Sequence, residues 1–171
     1  MCKLDKQRAA NALLYVTNKI NNCDFHKAFK ILYFADMYHL EAYGRTITGD
    51  WYVAMPFGPV PSSTYDMLKN VRGEGWYEDN DYKALFRVEN QCHIIPLRQA
   101  DMDYLSVSDV QMLDKAIDNI SNTTFNERSE KSHGLAWQRG KKNGELRIAY
   151  EDMLEEQGAD KEYIDYVMSV L

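Results

Sequence analysis

The sequence lacks the features that mark secreted, membrane-spanning or disulfide-stabilised proteins. Its three cysteines, Cys2, Cys23 and Cys92, are odd in number and have no framework spacing, which predicts free thiols in a reducing compartment. No run approaches the roughly 18 apolar residues of a membrane-spanning helix, and no secretory leader is recognisable. We therefore expect a cytoplasmic protein that makes no contact with a membrane.

Basic residues are also scarce, and the shortage is confined to one end of the chain. The net charge is −6, and the segment from Tyr150 to Leu171 holds one lysine and seven acids, so the rest of the chain is balanced. Nucleic-acid binding needs clustered lysine and arginine, so we expect no direct nucleic-acid contact and instead a partner with a basic surface. This segment could otherwise be solvated, or bind a second copy to form a homo-oligomer. The candidate partner-binding acids are Glu151, Asp152, Glu155 and Glu156.

Helical periodicity and capping residues place the first two helices. Apolar residues at mostly helical spacing predict a helix from Gln7 to Ile20. Asp24 is a natural N-cap for a second helix that runs through Tyr43 and ends at Gly44. The apolar arc of this second helix is so wide that we expect it to be the central helix of the domain.

The middle of the chain predicts short strands. Trp51 to Met55 reads as a brief strand, and Ser62 or Ser63 is expected to cap a third helix that ends near Asn70. Residues 72 to 82 are predicted to form an exposed loop. Two β-prone runs, at 84 to 88 and 92 to 97, predict a hairpin.

The remaining sequence is predicted to be helical. Ser106 and Ser108 each have capping-box spacing ahead of a fourth helix, and Thr123 or Thr124 starts another that ends at Lys131. Further helices are expected at 136 to 142, which ends in the solvated basic cluster Arg139, Lys141 and Lys142, and at 148 to 156 and 160 to 171. The prediction is an α+β fold over residues 1–171: a mainly helical single domain with a small antiparallel β element.

Asp36 lies in the middle of the apolar arc of the second helix. An unpaired carboxylate there would be costly, so the side chain must find donors. His39, one turn later, or Arg45, just beyond the helix, could supply them. We favour a buried structural node, and a catalytic acid is the alternative.

Other residues that could carry chemistry lack the neighbours that chemistry needs. Cys23 and His26 have the spacing of two zinc ligands, but Cys92 and His93 would point to opposite faces of a strand. His133 could be a general base, yet no nucleophile or orienting acid lies near it in sequence, so a turn that packs Trp137 onto the core is favoured. We expect no bound metal and no cofactor.

The segment Gly58-Pro-Val-Pro61 is predicted to be a stiff loop. Its two prolines fix their own φ angles and hold Val60 in an extended conformation. One role for such a loop is to aim the third helix at the second. A further role is to present Met55, Phe57 and Val60 as a recognition surface that loses little entropy on binding.

Several of these motifs together resemble a known family. The stretch from Lys30 through Pro61, with Ser129-Glu-Lys-Ser-His133 and Trp137, resembles the Panacea domain of SocA-like antitoxins, formerly described as a phage-associated domain of unknown function. The residues that match its motifs are Lys30, Tyr33, Asp36, His39, Tyr43, Gly44, Arg45, Gly49, Gly58, Pro59, Pro61, His133 and Trp137.

The resemblance implies an antitoxin of a bacterial or phage toxin–antitoxin system that neutralises a cognate toxin by direct protein–protein interaction. Members of the family are paired with unrelated toxins, and the family has no established catalytic centre, so we expect no enzyme. One alternative is a proteolytic adaptor or phage-encoded regulator that delivers a partner to a Clp-type protease. The other is a small hydrolase or metal enzyme built around Asp36, His39 and His133.

Overall fold

A computed structural model of the protein describes residues 5–75 and 80–171. Those residues form nine α-helices, a 3-10 turn at Met102–Tyr104 and four short strands around one hydrophobic core. The α+β prediction is therefore confirmed. In chain order the elements are α1 (Lys6–Lys19), α2 (Phe25–Tyr43), β1 (Tyr52–Met55), β2 (Gly58–Pro61), α3 (Ser62–Val71), α4 (Asn80–Lys83), β3 (Phe86–Glu89), β4 (His93–Pro96), α5 (Val107–Ile120), α6 (Phe125–Lys131), α7 (Leu135–Lys142), α8 (Tyr150–Glu156) and α9 (Lys161–Val170).

Helix α2 is the central helix, as its apolar arc predicts. Thirteen of its 19 residues are buried, and the helix packs against α1, α5, α6, α8 and β2. Its ends follow from local chemistry: the Asp24 side chain accepts a hydrogen bond from Lys27 N at 2.7 Å, and Gly44 closes the helix at φ 68°. The length and position of α2 set the frame on which the β1–β2 hairpin rests.

The two sheets are antiparallel hairpins of two strands each. β1 pairs with β2 in the register Val53 opposite Val60, and β3 pairs with β4 in the register Arg87 opposite Ile95. The predicted second hairpin is thus confirmed. Gly58 to Pro61, predicted as a loop, is instead strand β2: the proline φ angles that stiffen a loop also suit an extended strand.

Local signals located most helix starts, and the exceptions have clear causes. The Ser106 capping box with Asp109 is present, whereas Ser108 lies inside α5 and contacts His39. No side chain at Ser62 or Ser63 caps α3. The carboxylate of Asp50 accepts from Ser63 N, Thr64 N and Thr64 Oγ1 at 2.8–3.0 Å. Asp50 therefore caps the N-terminus of α3, although it lies well before that helix in the sequence.

The predicted loop at 72–82 is partly wrong, because Asn80–Lys83 forms the short helix α4. Residues 76 to 79 of that prediction lie outside the described residues, as do Cys2 and the other residues before Asp5. Among the helices that the structure describes, none is long and apolar enough to cross a membrane.

Candidate functional site

The turn between β1 and β2 is held by three side chains from two helices, α2 and α7. We call residues Met55–Gly58 the hairpin tip. Trp137 Nε1 of α7 donates to Met55 O at 2.9 Å, His26 Nε2 of α2 lies 3.0 Å from Phe57 O, and Lys30 Nζ of α2 donates to Pro59 O at 3.0 Å. Three alternate backbone carbonyls are therefore each fixed by a different side chain.

The protonation of His26 is set by its neighbours. Arg128 Nε can only donate, and it lies 2.8 Å from His26 Nδ1, so that nitrogen must be the acceptor. The proton then sits on Nε2, which donates to Phe57 O. Burial, followed by the positive charge of Lys30, lowers the pKa of His26 to about 4. His26 is therefore a neutral donor at neutral pH.

Gly58 allows the chain to pass close to α2 and to the α6–α7 junction. Its φ of 103° is a conformation that side chains disfavour. A β-carbon built there would overlap Ser132 Oγ and would lie 2.6 Å from Lys30 Cε. Only glycine fits this position, which explains why the hairpin tip can sit directly above a buried lysine.

Lys30 is a buried amine that no carboxylate pairs with in the described ranges. Its side chain is 1% exposed, and its hydrogen bond goes to Pro59 O. Burial, followed by the charge of Arg128, lowers the pKa of Lys30 to about 7. In the unfolded chain, Lys30 keeps its proton up to a pH near 10. Between pH 7 and pH 10 the unfolded chain therefore binds more protons than the folded protein does.

The free energy of unfolding is expected to rise by about 2 kcal/mol between pH 7 and pH 9, because only the folded Lys30 loses its proton in that window. Lys30→Met should abolish most of the rise, whereas exposed Lys142→Met should leave it intact. Denaturant unfolding at several pH values would test this. An equally steep rise in Lys30→Met would show that another group is responsible.

The exposed side chains at the hairpin tip are apolar. Phe57 is 61% exposed, Met55 is 42% exposed, and Phe125 of α6 is 41% exposed. The Phe57 and Phe125 rings meet edge to face with centroids 5.3 Å apart, and Phe125 stacks on His26 at 4.0 Å. We call Met55, Phe57 and Phe125 the tip patch. Val60, the third predicted recognition residue, is only partly exposed and packs against the hydrophobic core.

His133 contacts Trp137, one of the side chains that hold the hairpin tip. Its ring stacks on Trp137 with centroids 3.8 Å apart, and its Nε2 atom has no hydrogen-bond partner among the described residues. Burial lowers its pKa, and the charges of Lys30 and Lys141 lower it further. The stacking holds Trp137 against β1, as the sequence predicts for this turn.

Asp36 is a fully buried node that organises the loop after α2. Its carboxylate accepts from Ile47 N at 2.7 Å, Thr48 N at 3.0 Å, Thr48 Oγ1 at 2.5 Å and Tyr52 Oη at 2.8 Å. Burial raises its pKa to about 6, although these hydrogen bonds oppose the shift. It lies away from the protein surface and joins α2 to β1.

His39 and Arg45, predicted as the donors to Asp36, bind Asp109 instead. His39 Nε2 lies 3.1 Å and Arg45 Nη2 lies 2.9 Å from Asp109 Oδ1. Burial alone would raise the pKa of Asp109, but hydrogen bonds from His39 and Ser106 outweigh it and lower that pKa. The prediction failed because the spacing of residues on α2 could not show that Asp109, near the start of α5, lies beside His39 and Arg45.

The other motif residues have structural environments. Tyr33 is buried, with its ring edge-on to Tyr52 at 5.2 Å and its hydroxyl unpaired among the described residues. Tyr43 is half exposed and packs on His39 at 4.6 Å. Gly44 and Gly49 have positive φ angles, and Pro59 and Pro61 lie on β2.

Most of the acids predicted to form a docking surface bind other groups of the same chain. Arg139 pairs with both Asp152 and Glu155. Glu156 accepts from Ala136 N at 2.8 Å and so closes the start of α7, where Gly134 leaves room for it. Burial raises the pKa of Glu156 despite that hydrogen bond. Glu151 is exposed, and its role in docking stays a prediction.

The cysteines and histidines do not assemble a metal site in the part of the chain that the structure describes. No three side chains of His, Cys, Asp or Glu are grouped to hold an ion there. Cys23 is buried, which raises the pKa of its thiol to about 12. Cys92 lies in the turn between β3 and β4, beside His93.

The comparisons with known proteins assign the chain to one family. Residues 29–138 match the family model of the antitoxin SocA-like family, so the chain belongs to that family. The matching part is its Panacea domain, and it contains Lys30, the hairpin tip and Trp137. No curated protein and no solved structure matches the chain. The family gives the protein an antitoxin-like role.

Proposed function

We propose that the protein is an antitoxin that neutralises a cognate toxin by direct binding, and that the tip patch is the centre of the contact surface. The proposal rests on one observation above all, the 61% exposure of Phe57 on a turn whose backbone is fixed by three side chains of α2 and α7. An aromatic side chain on a rigid support makes a strong interface anchor, because little entropy is lost when it is buried.

The polar side chains near the tip support binding rather than catalysis. His26, Lys30 and Trp137 each donate to a backbone carbonyl of the hairpin. Ser132 is buried, and its hydroxyl donates to Ser129 O at 2.9 Å. These groups are occupied in positioning the turn, so we propose that the protein is not an enzyme and needs no cofactor.

Phe57→Ala is expected to weaken toxin binding by about 30-fold or more, because truncation of a central aromatic anchor costs roughly 2–4 kcal/mol. The matched control is Tyr166→Ala on α9, since Tyr166 is 63% exposed and lies outside the tip patch. Purified wild type and both variants would be titrated with the product of the neighbouring reading frame by calorimetry.

Growth rescue provides the second measurement. Expression of the neighbouring gene should arrest growth, wild type and Tyr166→Ala should restore it, and Phe57→Ala should not. Wild-type affinity in a folded Phe57→Ala protein would contradict the assignment of the surface. Failure of the wild type to bind or rescue would contradict the antitoxin function itself.

The adaptor alternative differs in its need for a protease. Direct neutralisation should persist in cells that lack the Clp ATPase, and the amount of toxin should not fall when the antitoxin is expressed. Rescue that disappears without the ATPase, together with toxin loss in its presence, would instead establish delivery to a Clp-type protease.

A further inference from the structure

The β1–β2 hairpin has no free backbone edge with which a partner strand could pair, so a partner would contact its side chains. On one side of β1, Ala54 N donates to Leu146 O at 2.6 Å and Ile148 N donates to Tyr52 O at 2.9 Å, so that edge is covered. Because backbone hydrogen bonds alternate between the two sides of a strand, the backbone N–H and C=O groups of Val53 and Met55 then face β2. The outward positions of β2 are Pro59 and Pro61, which have no N–H. Strand addition is therefore blocked at both edges.

Charges of both signs lie near the tip patch. Those that act on His26 and His133 are Lys30, Arg128 and Lys141, against Asp24 and Glu130. Asp24 is itself paired with Arg128 at 3.3 Å. That pair carries no net charge, and Lys30 is buried with its pKa lowered to about 7, so Lys141 is the exposed cation of this set.

Two exposed cations flank the hairpin and lack a carboxylate partner within residues 5–75 and 80–171. Lys141 Nζ lies 5.3 Å from the centre of the Trp137 ring, and Arg147 lies 5.4 Å from that of Trp51. Both rings belong to the support of the hairpin, since Trp137 binds Met55 O and Trp51 precedes β1. We call Lys141 and Arg147 the flanking cations.

From this arrangement we propose that the toxin receives Phe57 in an apolar socket rimmed by aspartate or glutamate side chains that face the flanking cations. The inference rests on the proposed function and specifies the chemistry of the partner. It predicts the opposite sign of charge from a toxin held by the acidic segment at 150–171, most of whose central carboxylates are engaged with Arg139 and α7.

The flanking cations can be tested without disturbing the tip. Lys141→Glu combined with Arg147→Glu should slow association at low salt and weaken the affinity for the toxin by about 10-fold or more, because like charges would then meet. The neutral pair Lys141→Gln and Arg147→Gln should give a smaller loss in the same direction. The salt dependence of the association rate should flatten in the neutral pair.

The control reverses charge on the acidic face. Glu151→Lys combined with Glu162→Lys changes exposed acids that neither cap a helix nor pair with a basic side chain among the described residues, and it should leave affinity unchanged or raise it. Loss of affinity in this control, or unchanged binding in both variants of the flanking cations, would overturn the proposal. If the wild type itself fails to bind, the proposed function fails instead. Thermal unfolding of each variant would confirm that it is folded.

Discussion

Replacing Asp36 by asparagine is expected to lower the free energy of unfolding by about 3–5 kcal/mol, because a buried carboxylate that accepts several hydrogen bonds cannot be replaced by an amide without leaving donors opposed. Ile47 N and Thr48 N both donate to Oδ1, whose place the amide oxygen would take. The amide NH2 would then face the hydroxyls of Thr48 and Tyr52, which now donate to Oδ2. The loop after α2 and the anchoring of Tyr52 would both be loosened.

Urea unfolding followed by circular dichroism would measure this loss. Asp114→Asn is the matched control, since Asp114 is partly exposed and pairs with Lys19 at the surface, where a change of about 1 kcal/mol or less is expected. A protein with Asp36→Asn that unfolds at the wild-type denaturant concentration but fails to bind toxin would show that Asp36 acts in function rather than as a buried node.

Gly58→Ala is expected to be nearly as damaging, for two separable reasons. A φ of 103° is unfavourable for alanine by about 1–3 kcal/mol, and the new methyl group would overlap Ser132 Oγ and crowd Lys30. We expect a loss of about 3 kcal/mol or more in the free energy of unfolding. A displaced hairpin tip should also weaken toxin binding.

Gly144→Ala separates the two contributions. Gly144 also has a positive φ, 75°, but nothing lies within 4 Å of an added β-carbon, so this variant should show the backbone cost alone. Combining Gly58→Ala with Ser132→Ala should recover part of the packing loss. Equal unfolding free energies for Gly58→Ala and Gly144→Ala would mean that the close approach to Ser132 and Lys30 carries no energetic weight.

The sequence predicted those parts of the fold that depend on neighbouring residues. The caps at Asp24, Gly44, Ser106 and Thr124 lie where their local patterns place them, because each cap acts within one helical turn. Asp50 was not predicted as a cap, since it acts on Ser63 and Thr64 from thirteen and fourteen positions away. No local pattern encodes that distance.

The candidate site was predicted only in part for the same reason. The family resemblance supplied Lys30, Gly58 and Trp137 as motif residues, and the stiff segment drew attention to Phe57. Their common attachment to one hairpin depends on how α2, α6 and α7 pack. The sequence marks His26 only as a possible zinc ligand, because its hydrogen bond with Arg128 joins residues 102 positions apart, which no spacing rule addresses.

The three side chains that hold the hairpin tip all contact backbone carbonyl oxygens, a group that every amino acid carries. Residues at positions 55 and 57 could therefore be exchanged for others while the turn keeps its anchorage, provided that Gly58 remains. The fold in this way separates the apparatus that holds the turn from the side chains displayed on it. A scaffold of this kind can be adapted to a differently shaped toxin by replacing two displayed residues, with no change to the core.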